Sequence, residues 1–181
     1  GSITTTSINN LISAENINLS AKEDIGSELK SIQVVVNNNG ELNVNSNNVY
    51  INYPHTDISN IIINATGNAF LSTSDTLMGD SGNEIDITAK SLELVADKGS
   101  ILWDMTDDEI NINVEKLKAR ANGDISIINQ GDLNISNISS KGKVSLESKK
   151  GSIIAVNTDS INPYNIDAET VLLKALKGYI G

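Results

Sequence analysis

The densest group of metal-ligand side chains in this sequence directly follows its only tryptophan. Asp104, Asp107, Asp108 and Glu109 lie within six residues, and carboxylate oxygens are the ligands that Ca²⁺ prefers. Their spacing matches neither an EF-hand loop nor the Gly-Gly-x-Gly-x-Asp nonapeptide of calcium-binding β-helices. An acidic surface turn therefore explains the run better than a Ca²⁺ site, and we predict no metal and no cofactor.

A second group combines aromatic rings with the only histidine. Tyr50, Tyr53 and His55 lie within six residues of one another, around Pro54. Sugar-binding sites use aromatic faces beside polar groups, because one side of a sugar ring is apolar and the other is polar. These residues are the candidate glycan-binding patch, and a loop at a corner of the fold is the alternative. A hydrolytic triad is not indicated, because no nucleophile is marked beside His55.

Charge and composition exclude several classes of function. The net charge is −10 with a pI near 4.4, and Arg120 is the only arginine. Such a chain lacks the basic groups that neutralise nucleic-acid phosphate or an anionic membrane surface. Cysteine is absent, which excludes disulfides, thiolate metal sites and cysteine nucleophiles. No long apolar run is present, so we expect no membrane insertion by this chain.

The apolar residues follow a pattern of short strands. Aromatics are only 3% of the chain, so the core must be built from Ile, Val and Leu. These residues alternate with polar ones over three to five positions, between Gly, Asn and Asp, as half-buried strands do. Clear examples are Ile17-Asn18-Leu19, Leu42-Asn43-Val44, Val49-Tyr50-Ile51, Ile110-Asn111-Ile112 and Ile125-Ser126-Ile127.

An internal repeat indicates the fold. Four segments share the order strand, glycine, strand, and their glycines are 24, 28 and 27 residues apart. They are Leu92–Ile101 with Gly99, Leu117–Ile125 with Gly123, Val144–Ile153 with Gly151, and Val171–Ile180 with Gly178. Periods of 20–50 residues indicate stacked units, because a three-residue strand can bury its apolar side only against neighbouring units.

The sequence therefore predicts an all-β fold, a right-handed parallel β-helix of roughly seven coils with three short strands each. Glycine at the corners would allow a positive φ. Segments Val114–Ala121 and Val171–Lys177 also have good helix propensity, but their register with the other repeats favours strands. Residues 72–84 lack alternation and predict an extended loop. We expect 3–181 to be one solenoid segment, preceded by a cloning remnant at 1–2.

The glycine turns resemble the repeats of filamentous-haemagglutinin-like exoproteins, most clearly from Leu92 onward. The motifs that carry the resemblance are Gly123-Asp124-Ile125, Gly131-Asp132-Leu133, Gly142-Lys143-Val144 and Gly151-Ser152-Ile153. This family comprises large adhesins, haemolysins, leukotoxins and contact-dependent toxin carriers. The resemblance implies two-partner secretion through an outer-membrane transporter and a secreted or cell-surface location.

We expect a non-catalytic shaft segment of a bacterial adhesin or other virulence exoprotein, with a host-cell receptor or glycan as its partner. A shaft segment of a secreted toxin is the alternative. A polysaccharide-degrading β-helix enzyme ranks third. Such an enzyme needs paired carboxylates and aromatic platforms, and one Trp, four Tyr and one Phe supply few of the latter.

Overall fold

The alternating segments form short strands in the structure, a computed structural model. It describes residues 1–7, 11–38, 40–53, 60–77, 85–102, 110–158 and 161–181. Successive side chains of a strand point to opposite faces, so each segment turns its Ile, Val and Leu residues to one side. The described residues form strands and turns and no helix, which confirms the predicted all-β class.

The described part of the chain contains sixteen strands. They are β1 Leu11–Ala14, β2 Ile17–Ser20, β3 Asp24–Ile25, β4 Ile32–Val36, β5 Glu41–Ser46, β6 Asn48–Tyr53, β7 Asn60–Ala65, β8 Asn68–Thr73, β9 Ile87–Ala96, β10 Ile110–Ala121, β11 Ile125–Asn129, β12 Leu133–Ser140, β13 Lys143–Ser148, β14 Ile153–Ala155, β15 Ile166–Asp167 and β16 Thr170–Ala175.

These bounds also decide between helix and strand for the two segments whose sequence allowed both. β10 covers all of Val114–Ala121, and β16 covers Val171–Lys177 as far as Ala175, so the strand interpretation is confirmed for these residues. The loop predicted at 72–84 does not begin at its expected start, because Ser72 and Thr73 extend β8 and Leu77 pairs with Ile101. Its remaining part, 78–84, lies outside the described residues.

Every pairing between the described strands is parallel. One unbroken ladder, which we call the long ladder, has the order β2-β5-β7-β9-β10-β11-β13-β16. Paired residues along this ladder are 17 to 27 positions apart, from the Ile110–Ile127 pair to the Val144–Val171 pair. The predicted parallel β-solenoid is thus confirmed, while its right-handed sense and the number of strands and coils stay predictions.

Apolar side chains stack in columns through the interior of the solenoid. Ile125 and Val144 occupy one register position on neighbouring strands, and both are fully buried. Ile87 and Ile112 repeat this arrangement earlier in the ladder. Because each side chain packs on its equivalents above and below, Ile, Val and Leu of similar volume fill the core without large aromatic rings.

Among the described residues, no helix is long and apolar enough to cross a membrane.

The repeat glycines lie at two different corners, which the sequence repeat did not reveal. Leu117 pairs with Leu92, as the repeat predicts, but Val144 pairs with Ile125 and not with Leu117. The first corner contains Gly99, Gly123 and Gly142, and the second contains Gly131, Gly151 and Gly178. The unit repeated in the sequence is therefore one strand–turn–strand corner, and a coil uses it at two places.

Glycine is needed at these corners for space and not for a positive φ. Among the described glycines, only Gly26 has a positive φ, of 73°, so the backbone conformation expected at the corners is wrong. A side chain at Gly151 would instead meet the backbone nitrogen of Asp132, and one at Gly178 would meet the backbone of Gly151. Successive corners stack too closely to admit a Cβ. Gly131 is an exception, because nothing lies within 4 Å of that position.

The residue after each corner glycine binds the next coil. At the first corner, the backbone N–H of Asp124 donates to the Ser100 hydroxyl at 2.9 Å, and the N–H of Lys143 donates to the Asp124 carboxylate at 2.7 Å. At the second corner, the N–H of Ser152 donates to the Asp132 carboxylate at 2.7 Å. These bonds satisfy backbone donors where the strands end, which explains the Gly-Ser and Gly-Asp pairs of the sequence.

A single asparagine anchors the second corner from inside. Asn129 is fully buried at the end of β11. Its Oδ1 accepts the N–H of Val114 at 2.9 Å, and its Nδ2 donates to the carbonyls of Val114, Gly131 and Asp132 at 3.2, 3.0 and 3.1 Å. A buried polar group is tolerated when it is hydrogen-bonded, and here it ties two coils together.

Candidate functional site

The aromatic patch predicted from the sequence is only partly at the surface. Tyr50 and Tyr53 belong to β6, but they are three positions apart and therefore point to opposite faces of the strand. Tyr50 lies on the outer face, whereas Tyr53 is only 5% exposed and belongs to the core. His55 lies outside the described residues. Of these three residues, the described structure places Tyr50 alone on the surface.

The acidic run Asp104, Asp107, Asp108 and Glu109 also lies outside the described residues. The Ca²⁺ hypothesis and its surface-turn alternative therefore both stay predictions. Within the ranges that the structure describes, no group of three or more histidine, cysteine, aspartate or glutamate side chains is arranged to hold a metal ion.

Tyr50 begins a row of outward side chains that crosses four neighbouring strands. It is in register with Phe70 of β8, Phe70 with Glu93 of β9, and Glu93 with Lys118 of β10. We call these four residues the aromatic ladder. Neighbouring strands are roughly 4.8 Å apart, so the ladder extends over roughly 14 Å. It combines two adjacent aromatic rings with a carboxylate and an ammonium group.

A groove of about 420 Å³ runs along the aromatic ladder. Its walls add Glu28, Asn68, Ala69 and Ser91 to the four ladder residues. Glu28 belongs to a tight turn in which Ser27 and Lys30 exchange backbone hydrogen bonds of 3.0 Å. This turn can lie against β6 because Gly26 has no side chain, and a Cβ at Gly26 would meet the carbonyl oxygen of Tyr50.

The end of the groove at Tyr50 has a negative electrostatic character. Burial raises the pKa of the Tyr50 hydroxyl, and the nearby carboxylates of Glu28 and Asp24 raise this pKa further. A hydrogen bond with the Asn68 side chain opposes the shift by lowering the pKa. An anionic ligand group would be repelled at this end, whereas a neutral or cationic group would not.

Basic groups on this flank do not reverse that character. Lys118 lies at the far end of the aromatic ladder, three strands from Tyr50. Arg120, the only arginine of the chain, forms an ion pair of 2.8 Å with Asp97. The arrangement therefore fits a ligand with hydroxyl or amine groups better than a sulfated or sialylated one.

Reasoning from the sequence found Tyr50 but missed Phe70, Glu93 and Lys118. Paired ladder residues are 20, 23 and 25 positions apart in sequence, so no local motif joins them. The available signal was the alternation itself, since each of the four occupies an outward position between two buried residues of its strand. Without the register between coils, that signal does not show which outward residues are neighbours.

No family model, no curated protein and no solved structure matches this chain.

Proposed function

We propose that this chain is a rigid, non-catalytic rod segment of a secreted or surface-exposed bacterial adhesin, and that its groove binds a host-cell glycan. The observation that carries the proposal is the aromatic ladder, which four strands from four successive coils build on one flank. The resemblance of the glycine corners to filamentous-haemagglutinin-like repeats supports the adhesin class and export by two-partner secretion.

Rigidity follows from how the coils are joined. Each strand between the two ends of the long ladder pairs with the strand above and the strand below, and the corners add hydrogen bonds from side chains to the next coil. Bending the rod would break several of these bonds at once. A rod of this kind holds a flank site away from the bacterial surface, where it can meet host cells.

The proposed ligand is a neutral oligosaccharide or one that carries an amine. Tyr50 and Phe70 offer ring faces to the apolar side of a sugar, and Asn68, Ser91 and Glu93 offer hydrogen-bonding groups beside them. Glu28 would accept a hydrogen bond from a hydroxyl or an ammonium group. Its charge, together with that of Asp24, disfavours sialylated and sulfated glycans.

Binding of the labelled chain to a glycan array and to host cells tests this proposal. We expect saturable binding to neutral or amine-bearing glycans, and at least a ten-fold loss of affinity in Phe70→Ala and Tyr50→Ala, since an aromatic contact of this size contributes about 1.4 kcal/mol or more. Tyr164→Ala is the matched control, because Tyr164 is an exposed tyrosine that does not line the groove. Unchanged binding in both ladder variants would refute the site.

The enzymatic alternative can be tested at the same groove, because two carboxylates, Glu28 and Glu93, line it. Glycoside hydrolysis uses such a pair. If the chain only binds, a bound oligosaccharide is recovered intact after prolonged incubation. Release of reducing ends that stops in Glu93→Gln would replace the adhesin proposal with an enzymatic one.

A further inference from the structure

The groove along the aromatic ladder adjoins a second, smaller recess. This recess has a volume of about 200 Å³ and shares Glu93 and Lys118 with the groove. Val95 and Arg120, the next outward pair of β9 and β10, also line it. We call it the end recess. It is smaller than the pockets that hold whole ligands, so it suits one substituent of a ligand that lies in the groove.

A β-bulge brings Asn137 to the edge of the end recess. The register of β12 against β10 shifts at this point, so that Ser136 and Asn137 together lie opposite Lys118. Asn137 has a positive φ of 52°, a conformation that asparagine adopts more readily than most residues with a side chain. Bulges change the direction of a side chain, and here Asn137 lines the end recess.

The amide oxygen of Asn137 is buried without a hydrogen bond. Among the described residues, Asn137 Oδ1 has no partner, although the residue as a whole is only half-buried. A buried acceptor in this state costs free energy that a donor would recover. Rotation of the side chain toward the end recess breaks no hydrogen bond of this oxygen. The fold therefore holds an acceptor at the end recess that a ligand donor can satisfy.

The other groups of the end recess narrow the chemistry of the ligand. Lys118 carries an ammonium group, which donates hydrogen bonds and accepts none. Val95 is an apolar outward residue of which 9% is exposed, and it suits a methyl group. A carboxylate would pair with Lys118 but would bring no donor for Asn137. A neutral amide with a methyl end matches all three residues.

We infer that the end recess binds the acetamido group of an N-acetylated amino sugar, within an oligosaccharide that lies along the aromatic ladder. The acetamido N–H donates to Asn137 Oδ1, the acetamido carbonyl accepts from Lys118, and the methyl group packs on Val95. Because the acetamido group is uncharged, it is not repelled by the carboxylates at the Tyr50 end of the groove. The acetamido site rests on the proposed glycan groove and specifies the class of sugar that occupies it.

Calorimetric titration of the full chain with two oligosaccharides of equal length and linkage tests the acetamido site. One is built from β-linked N-acetylglucosamine and the other from β-linked glucose, so that they differ only in the acetamido groups. We expect the N-acetylated oligosaccharide to bind about ten-fold more tightly or better, because it alone satisfies Asn137 and also contacts Val95.

Asn137→Gly removes the amide but keeps the positive φ, which glycine adopts readily. This variant should lose the preference for the N-acetylated oligosaccharide, while its affinity for the glucose oligosaccharide and its thermal midpoint should not fall. Asn38→Gly is the matched control, because Asn38 has a positive φ of 55°, is exposed and lines neither the groove nor the end recess. It should bind both oligosaccharides as the unchanged chain does.

Equal affinity for the two oligosaccharides, with both still weakened by Phe70→Ala, would overturn the acetamido site and leave the glycan groove in place. A preference that persists in Asn137→Gly, or that Asn38→Gly abolishes as well, would also overturn the site. Absence of binding to both oligosaccharides would overturn it too, and absence of binding across the whole glycan array would overturn the groove itself.

Discussion

Replacing Asn129 by alanine tests whether buried polar groups hold successive coils together. The side chain accepts one backbone hydrogen bond and donates to three carbonyls, all at 3.2 Å or less. Its removal leaves the buried N–H of Val114 without this acceptor. An unsatisfied buried group costs roughly 1–3 kcal/mol, and the carbonyls lose their donor as well. We expect a loss of roughly 2–4 kcal/mol in the free energy of unfolding.

Urea denaturation followed by circular dichroism measures this loss. With an m value of about 2 kcal/mol/M, the midpoint should fall by roughly 1–2 M. Because contacts in a solenoid are made between neighbouring coils, unfolding can proceed stepwise, so amide exchange gives a second measurement. The amide of Val114 should lose protection in Asn129→Ala before amides of distant coils do.

Asn134→Ala is the matched control, since Asn134 donates one exposed hydrogen bond of 2.9 Å to the carbonyl of Glu115. It should cost less than about 1 kcal/mol. Asn129→Asp keeps the size of the side chain but removes its donors, so it should also destabilise at neutral pH and regain stability in acid, where a protonated carboxyl donates again. Equal midpoints for Asn129→Ala and Asn134→Ala would refute the role assigned to Asn129.

Two further predictions concern the corners and the groove. Gly151→Ala should lower the thermal midpoint clearly, because its Cβ would meet the backbone of Asp132, while Gly131→Ala should leave it nearly unchanged; equal shifts would contradict the close stacking of corners. Burial, and after it the charge of Glu28, raise the pKa of Tyr50 above 10.0. Glu28→Gln should therefore lower this pKa in an ultraviolet titration. An unchanged pKa would show that the Glu28 carboxylate does not act on Tyr50 and that the turn is not part of the groove. The unfolded chain has the lower Tyr50 pKa and therefore loses this proton first as the pH rises. The contribution of Tyr50 to the stability of the fold thus decreases above pH 10.0.

Much of the fold could be predicted from the sequence because its signals are local. Alternation over three to five residues decides which side of each strand is apolar, and this sufficed to place Ile125, Ile127 and Val144 in the core. The Gly-Ser and Gly-Asp pairs marked the corners, since a residue without a Cβ followed by a short acceptor meets the needs of a tight stacked turn. The internal repeat also identified β10 and β16 as strands, although their residues have good helix propensity.

The tertiary structure alone decided which coil lies on which. Coil length varies, with paired residues 17 to 27 positions apart, so a fixed period cannot give the register. For that reason Val144 stacks on Ile125 and not on Leu117, and Tyr50 meets Phe70 and not Tyr53. The candidate groove depends on this register. Local sequence fixes the direction of each side chain, but its neighbours across the stack are set by non-local pairing.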